Sequence, residues 1–446
     1  MVRNVGKQKK HLSASQIIIL GFAAVILFGS LLLMLPFATR DGKGAVFSDA
    51  LFTATSAVCV TGLVVQDTAT YWSGFGQGVI IGLIQIGGMG VVTVAVALAI
   101  ISGRKISLRQ RSTMQEAISA PKVGGIVRFT GFILKMTLFF ELLGAVLLSP
   151  VFCREFGLLK GIWYSIFHSI SAFCNAGFDL MGCKAPYSSL TGFACHPVVN
   201  LVIMGLIVTG GIGFMTWEDI KTHKLRLHRY RMQSKVILTT TAVLLLLPAI
   251  YFFFFEFRDI PVQERIWAAM FQSVTPRTAG FNTTDLTVLS ETGMAVMMVM
   301  MIVGGSPGST AGGIKTTTLA VLFSTAISVF RRREHTQFFG RRISENTVRN
   351  AATILTMYLT LFLSGACIIS RVEGLPLLTC LFETASAVGT VGLTLGITPE
   401  LGLLSQGILI LLMYFGRVGG LTLVFAALSS NQGNTARLPQ EKLTVG

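Results

Sequence analysis

One short pattern occurs four times along this chain of 446 residues and constrains its fold more than any other feature. In its fullest form the pattern reads Phe-x-x-x-Ser-Ala-x-x-x-x-Gly, followed by Leu or Phe. Its four glycines, separated by 115, 103 and 112 residues, are Gly62, Gly177, Gly280 and Gly392. An element that recurs at such regular intervals indicates four copies of one structural unit.

Long apolar stretches surround each copy of the pattern. The chain is 52% hydrophobic and only 13% charged, whereas soluble domains carry about 25% charged residues. A helix needs about 20 mostly apolar residues to span a bilayer. The stretches that meet this requirement, alone or as a pair, are 17–36, 75–102, 129–151, 198–217, 236–255, 295–303 with 316–330, 351–369 and 401–427. We therefore predict an all-α integral membrane protein with eight transmembrane spans.

Each copy of the pattern lies between two spans and is too short to cross the membrane alone. Its helical part is predicted over 48–58, 161–173, 266–275 and 377–388. Re-entrant backbone is tolerated at membrane depth only where protein or a water-filled cavity satisfies its polar groups. We therefore expect four span–pore helix–span repeats around a central pore, with pseudo-four-fold symmetry. The repeats are assigned to residues 13–110, 111–222, 223–335 and 336–430, with tails 1–12 and 431–446.

The distribution of charge predicts how the chain is oriented. Segments 1–12, 103–128, 218–235, 331–349 and 429–446 hold 24 of the 36 Lys and Arg but only 6 of the 20 Asp and Glu. Basic loops usually face the cytoplasm, so we expect a multi-pass protein of the cytoplasmic membrane with both termini inside. The pattern copies then enter from outside. The net charge of +16 is explained by topology, so membrane lipid is expected as a partner and nucleic acid is not.

The four glycine segments are the candidate selectivity filter for a cation. A dehydrated cation needs oxygens at short range, which backbone carbonyls can supply, and glycine adopts the required backbone angles easily. The C-terminal ends of pore helices carry partial negative charge and favour a cation. The predicted ion-binding residues are Val60, Thr61, Gly62, Asn175, Ala176, Gly177, Thr278, Ala279, Gly280, Thr390, Val391 and Gly392.

The second span of the third repeat is interrupted by a stretch rich in glycine, which is the candidate gate. Proline and several glycines are unlikely to continue a straight lipid-facing helix, so this stretch is expected inside the protein, under the ion path. The candidate gate residues are Gly304, Gly305, Ser306, Pro307, Gly308, Ser309, Thr310, Ala311, Gly312, Gly313, Lys315 and Arg417. Arg417 either faces the pore below the filter or pairs with a neighbouring helix. If Arg417 faces the pore, its charge raises a barrier to cations. Lys315 either adds to that barrier or holds the loop to backbone carbonyls.

Several smaller features leave two interpretations open. Glycine pairs in the second span of each repeat indicate close helix packing or a local break; they are Gly87-Gly88, Gly210-Gly211, Gly304-Gly305 and Gly419-Gly420. Asp67, Asp179 and Asp285 follow filter glycines and either attract cations or are solvated loop acids. One disulfide could form among the outer cysteines Cys153, Cys183 and Cys195. The third quarter is one residue shorter between Phe271 and Gly280, so it should depart from the symmetry.

The sequence gives little support to an enzyme. The segment Gly308–Thr316 resembles a phosphate-binding loop, but Ile314 separates its glycine from Lys315, and the Walker pattern requires Gly-Lys. An alternating-access secondary carrier for Na⁺ or K⁺ is the serious alternative, because such folds also use repeats and broken helices. Carrier repeats are often inverted, whereas these four run in one orientation, which favours a pore.

These motifs together resemble the Trk/Ktr/HKT superfamily of potassium transporters, closest to the Ktr-type ion-conducting membrane subunit (KtrB-like). The resemblance covers nearly the whole length and rests on the four glycine segments, residues 304–318 and Arg417. It implies K⁺ uptake with K⁺ at the filter residues, Na⁺ as an activating ion, and no covalently bound cofactor. It also implies a homodimer and a cytosolic ring of nucleotide-binding regulatory subunits (KtrA-like).

The resemblance also bears on selectivity. Related plant proteins that carry Ser at the first filter position favour Na⁺, and this chain has Gly62 there. None of the four segments is the Thr-Val-Gly-Tyr-Gly of dedicated K⁺ channels, and residues 388–393 come nearest. We therefore expect preference for K⁺ with looser selectivity than in those channels.

Overall fold

The computed structural model describes residues 13–102, 106–118, 124–420 and 422, and these residues fold mainly into α-helices. The tails assigned to 1–12 and 431–446 lie outside them, as do residues 421 and 423–427 of the predicted stretch 401–427. The first two quarters contain α1 (Ala14–Leu33), α2 (Phe47–Cys59), α3 (Gly74–Met89), α4 (Val91–Ile101), α5 (Leu108–Ala117), α6 (Ile126–Phe156), α7 (Leu158–Phe173), α8 (Pro197–Gly211) and α9 (Phe214–His223).

The last two quarters repeat this order with modifications. They contain α10 (Met232–Tyr251) with a π-helical turn at Phe252–Glu256, α11 (Val262–Val274), α12 (Glu291–Ile302), α13 (Thr316–Phe330), a short hairpin of β1 (Gln337–Phe338) and β2 (Arg341–Arg342), α14 (Glu345–Glu373), α15 (Leu377–Gly389) and α16 (Leu403–Val418). The helices predicted from the pattern are α2, α7, α11 and α15. None of the seven cysteines is in a disulfide.

Within the described residues, four helices are long and apolar enough to cross a membrane. They are α1, α6, α10 with its π-helical turn, and α14, with mean hydropathy between 1.9 and 2.5. Each is the first span predicted for its quarter. Two further candidates are bent pairs, in which α3 and α4 meet at 95° and α8 and α9 meet at 97°. Segment 75–102 is therefore not one straight helix, and the bend that follows α8 lies within 198–217.

The bends occur at glycines in one unusual backbone conformation. Gly90, Gly213 and Gly419 have φ of 86°, 89° and 88° and ψ of 133°, 141° and 131°. Such angles are readily available only to glycine. Gly90 and Gly213 separate the halves of the bent pairs, and Gly419 ends α16. The local break expected in the second spans is therefore present, but it lies beyond the glycine pairs of the first two quarters.

Close helix packing occurs at three other glycines, each of which lies three residues before one of these positive-φ glycines. A Cβ atom built on Gly87 would lie 2.0 Å from the carbonyl oxygen of Val58, at the end of α2. The same geometry joins Gly210 to Phe173 at 2.0 Å, and Gly416 to Val388 at 2.2 Å. In the fourth quarter, the residue equivalent to Gly87 is therefore Gly416. The predicted alignment of Gly87-Gly88 with Gly419-Gly420 was wrong by three residues. Arg417 then occupies the place that Gly88 and Gly211 hold in other quarters.

These contacts predict which glycines tolerate a methyl group. Alanine at Gly87, Gly210 or Gly416 should destabilise the protein by about 1–3 kcal/mol, because the added carbon meets fixed backbone. The matched controls are Gly82→Ala, Gly205→Ala and Gly407→Ala in the same three helices, where a Cβ atom would meet nothing within 4 Å. Thermal unfolding of the detergent-solubilised variants measures the difference. Equal unfolding temperatures within each pair would show that the close approach is not needed for stability.

Candidate functional site

The four repeated glycines meet in a closed ring. A Cβ atom built on each would clash with a backbone carbonyl oxygen of the next quarter, and the fourth contact returns to the first quarter. The distances to these oxygens are 2.5 Å from Gly62 to Ala176, 2.7 Å from Gly177 to Ala279, 2.2 Å from Gly280 to Val391 and 2.2 Å from Gly392 to Thr61. Four segments more than 100 residues apart in sequence are thus brought together, with no room for a side chain at the glycines.

The four segments share one backbone conformation. Each glycine has positive φ, with values of 93°, 70°, 78° and 96° in chain order. The residue two positions earlier also has positive φ although it is not glycine: 57° at Val60, 59° at Asn175, 67° at Thr278 and 53° at Thr390. Left-handed angles cost energy for β-branched residues and persist only where the surroundings enforce them. All twelve residues predicted for the filter are buried in this region.

The recurring serine of the pattern holds the filter backbone to the pore helix. In the first, second and fourth quarters, the carbonyl oxygen of this serine accepts a 2.8 Å hydrogen bond from the backbone N–H of the residue that precedes the glycine. The donor and acceptor pairs are Thr61 and Ser56, Ala176 and Ser171, and Val391 and Ser386. The hydroxyls of Ser56 and Ser386 also accept from the backbone N–H of Gly62 and Gly392, at 3.1 and 3.0 Å. Sequence reasoning missed this role, although recurrence of the serine was a signal for it.

The third quarter is built differently, as its missing residue predicted. Ala279 N–H donates to the carbonyl oxygen of Thr275 at 3.0 Å, and the Thr275 hydroxyl donates to Phe281 at 2.5 Å. Arg277 lies in this segment, only 5% exposed, and one of its terminal nitrogens is 3.5 Å from the Thr241 hydroxyl. Sequence reasoning also missed this buried cation; the available signal was a basic residue in one copy of the pattern where the other three copies have no Lys or Arg.

Polar side chains stand behind the filter, at the position that follows the recurring phenylalanine. Glu383 in α15 is fully buried; its carboxylate accepts from the Thr394 hydroxyl at 2.9 Å and from the Thr398 hydroxyl. In α11, Gln272 donates to Asn282 at 3.1 Å and to Thr284 at 2.7 Å. In α7, His168 Nε2 accepts a hydrogen bond from the backbone N–H of Leu180 at 3.3 Å. The equivalent residue in α2 is Thr53, which follows Phe52. Each of the last three quarters thus ties its pore helix to the chain beyond its filter glycine.

A cavity of about 220 Å³ opens on one side of the glycine ring. All four ring glycines border it, together with Asp67, Asp179 and Asp285, and none of its lining residues is Lys or Arg. Asp67 also accepts hydrogen bonds from Thr70 N–H at 2.8 Å and Tyr187 N–H at 3.0 Å, and Asp285 from Thr287 N–H at 2.9 Å. The three acids therefore face a shared cavity, and at least two of them also order their own loops.

The glycine-rich loop between α12 and α13 crosses the other side of the ring. Its ends pair, because Gly304 N–H donates to Ile314 at 2.8 Å and Ile314 N–H donates to Ile302 at 3.2 Å. Between them, the Thr310 hydroxyl donates to the carbonyl oxygen of Phe173 at 3.0 Å. A Cβ atom on Gly312 would lie 2.1 Å from the Thr390 hydroxyl oxygen. The loop thus lies directly against the second and fourth filter segments.

The two predicted basic gate residues are both bound to backbone carbonyls. Arg417 donates to Thr310 in the loop and to Gly87 and Gly88 at the end of α3, the last at 3.0 Å. Lys315 donates to Ala311 at 2.7 Å and Gly312 at 3.3 Å. Both line a cavity of about 270 Å³ with Pro307, Gly308 and Ser309. Arg417 therefore joins helix to loop beside this cavity, and Lys315 holds the loop to itself.

Apolar helices long enough to cross a membrane, packed around four converging glycine segments, are typical of membrane transport proteins. Residues 5–437 match the family model described as TrkH, cation transport protein. The chain is 41% identical to the potassium/sodium uptake protein NtpJ of Enterococcus hirae, over 98% of each chain. It is 38% identical to the Ktr system potassium uptake protein B of Bacillus subtilis, over 97% of this chain and 96% of that one. This chain belongs to the TrkH cation transport protein family, which is a family of transporters and not of enzymes.

A solved structure shares the fold. The crystal structure of the potassium transporter TrkH from Vibrio parahaemolyticus superimposes with a TM-score of 0.74, at 18% identity, over 95% of this chain and 86% of that one. The family model and the two relatives confirm the family resemblance inferred from the glycine segments, and the chain is a multi-pass helical membrane protein.

The contacts of Glu383 predict a local role that exchange measurements can isolate. Glu383→Ala should increase hydrogen exchange of the amides at 390–398, because Thr394 and Thr398 lose their common acceptor, while residues 56–62 stay unchanged. Glu383→Gln should have a smaller effect, since its amide oxygen still accepts one hydrogen bond. The control is Glu373→Ala, which removes the acceptor of Ser405 and Gly402 and should loosen 402–405 instead. Unchanged exchange at 390–398 in Glu383→Ala would contradict the assignment.

Proposed function

We propose that this protein takes up potassium across the cytoplasmic membrane through a cation-selective pore. The observation that carries the proposal is the closed ring of four glycine segments between two cavities. In this proposal eight spans form four pseudo-symmetric repeats around the ring. Both termini are cytoplasmic, and the cavity with three aspartates faces outside. The names of the relatives, a potassium/sodium uptake protein and a potassium uptake protein, agree with the proposed substrate.

The charge around the ring favours a cation. Backbone carbonyl oxygens of the twelve filter residues would replace the hydration of K⁺. The C-terminal ends of α2, α7, α11 and α15 lead into the filter segments, which places the negative ends of the helix dipoles near the ion path. The outer cavity holds Asp67, Asp179 and Asp285 with no basic residue in its lining. An anion would meet unfavourable potential at each of these points.

The inner side supplies the proposed gate. The loop containing Gly304–Gly313 would obstruct the path below the filter, and Arg417 would hold it there through the carbonyl of Thr310. Since the guanidinium group also binds Gly87 and Gly88 at the end of α3, movement of α16 or α3 would release the loop. We propose that a cytosolic nucleotide-binding subunit drives this movement on a homodimer of this chain, and that uptake depends on Na⁺.

Potassium uptake in cells that lack their own uptake systems tests the proposed function. Expression of this chain with a candidate regulatory subunit should restore growth at low external K⁺ and accumulation of Rb⁺. Single-channel recording distinguishes a pore from an alternating-access carrier, because only a pore conducts enough ions for the current steps of single openings to be resolved. A chain that reaches the membrane but supports neither growth nor Rb⁺ accumulation with any regulatory partner would contradict the proposal.

The first filter glycine predicts selectivity. Gly62→Ser should reduce the preference for K⁺ over Na⁺ by about tenfold, because a side chain at φ 93° would meet the carbonyl oxygen of Ala176 at 2.5 Å and distort the ring. Competition of Na⁺ with Rb⁺ uptake measures the ratio. The control is Gly78→Ser in α3, where a Cβ atom meets nothing within 4 Å. An unchanged ratio in Gly62→Ser would count against assigning this segment to the filter.

Shortening the loop predicts a change in flux. Deletion of 307–310 leaves the paired ends at Gly304 and Ile314 intact and removes the segment that Arg417 binds. Flux should rise severalfold without the regulatory subunit, and it should remain selective for K⁺ because the filter is untouched. Rb⁺ flux into proteoliposomes measures both quantities. The gate assignment fails if flux stays at the wild-type level in a deletion variant that is correctly folded.

A further inference from the structure

A groove of about 990 Å³ lies away from the filter and the gate. We propose that this groove binds an anionic phospholipid, with its phosphate among basic side chains and an acyl chain along an apolar floor. The groove is formed where the start of α6 faces α9. Its lining includes Arg128, Phe132, Lys135, Met136 and Lys221.

The spacing of residues along α6 places basic side chains for the phosphate and an apolar floor for the acyl chain on one side of the helix. Arg128, Phe132 and Lys135 lie four and three residues apart, which places them on one face of the helix. Gly131 lies on the same side, and a Cβ atom there would meet nothing within 4 Å. Because no side chain fills this space, an apolar chain can lie against the Phe132 ring. Met136 continues the apolar floor one turn further into the membrane.

The basic rim has more positive charge than its surroundings neutralise. Arg128, Lys135 and Lys221 are exposed and have no acidic partner among the ion pairs of the described residues. Lys221 reaches across from α9 to lie 5.3 Å from the centre of the Phe132 ring. The one acid of the groove, Glu218, is already paired with Arg231 at 2.8 Å. A phosphodiester is a complementary ligand for such a rim.

The length of α6 puts this rim at headgroup depth. Its 31 residues extend about 46 Å at 1.5 Å per residue, whereas the hydrocarbon core is about 30 Å thick. The first turn, which carries Arg128, therefore projects beyond the core on the side where basic loops predict the cytoplasm. Lys135 lies within the predicted span 129–151 near this end, and its long side chain can extend its ammonium group to the headgroups. Since α9 leaves α8 at 97°, it runs roughly along the membrane surface and closes the groove from the side. Basic pockets between helices at this depth are suited to anionic lipid headgroups.

Native mass spectrometry of the full-length protein in mixed micelles tests the proposal. The lipids are dioleoyl phosphatidylglycerol and dioleoyl phosphatidylcholine in equal amounts, and the readout is the ratio retained per protomer. The groove variant combines Arg128→Gln, Lys135→Gln and Lys221→Gln. We expect its preference for phosphatidylglycerol to fall at least tenfold, because each basic residue near an anionic surface contributes about 1 kcal/mol. The charge-retaining combination Arg128→Lys, Lys135→Arg and Lys221→Arg should keep most of the preference.

A matched control removes three positive charges from the segment that follows α9, on the same side of the membrane as the groove. Lys224→Gln, Arg226→Gln and Arg229→Gln lie in the exposed segment after α9 and do not line the groove. This control should retain the preference, and thermal unfolding in phosphatidylcholine alone should show that all variants are folded. Equal loss in control and groove variants would mean diffuse attraction to basic loops and would overturn the proposal. An unchanged ratio in the groove variant would overturn it as well, and would point to a protein partner as the occupant.

Discussion

The close approach of four backbone segments at glycine is the constraint on which the rest of the structure depends. Each ring glycine lies where a Cβ atom would come within 2.7 Å or less of a carbonyl oxygen from the next quarter. Backbone can be held this closely inside a membrane only if helices position it and polar atoms satisfy it. The pore helices and their serine or threonine side chains do both. A second set of glycines, represented by Gly87 and Gly416, lets the second spans pack against the ends of these helices.

The four quarters are alike in backbone and different in side chains, and the differences are where the proposed mechanism lies. The third quarter has a shorter filter segment, and a loop interrupts its second span where the first two quarters have a bend. The fourth quarter carries Arg417 at a position that is glycine in the first two. Because this arginine binds carbonyls of both α3 and the loop, it couples three quarters on the inner side of the ring. In the proposed function, the features that the four quarters share form the ion path, and the features in which they differ form the gate.

The sequence predicted the parts of the structure that repeat. The helix expected at 377–388 is α15 at Leu377–Gly389, and the one expected at 48–58 is α2 at Phe47–Cys59, because periodic apolar residues, followed within a few residues by the glycine of the pattern, define both locally. The sequence did not predict the register of the fourth glycine pair, the partners of Glu383 and Gln272, or the positions and angles of the bends, which are 95° and 97°. These features depend on contacts between segments far apart in the chain. Single-sequence patterns contain no information on such contacts until the fold brings the segments together.

Anomalous diffraction from crystals soaked in Tl⁺ or Rb⁺ tests the central claim most directly, because it locates the ion without reference to transport rates. If the four glycine segments form one cation filter, an anomalous peak will lie on the axis of the ring, within coordination distance of carbonyl oxygens from Thr61, Ala176, Ala279 and Val391. Glycine-to-serine substitution at Gly62 should weaken or displace this peak. A well-occupied peak elsewhere in the protein, with none inside the ring, would contradict the assignment of the four glycine segments to one cation filter.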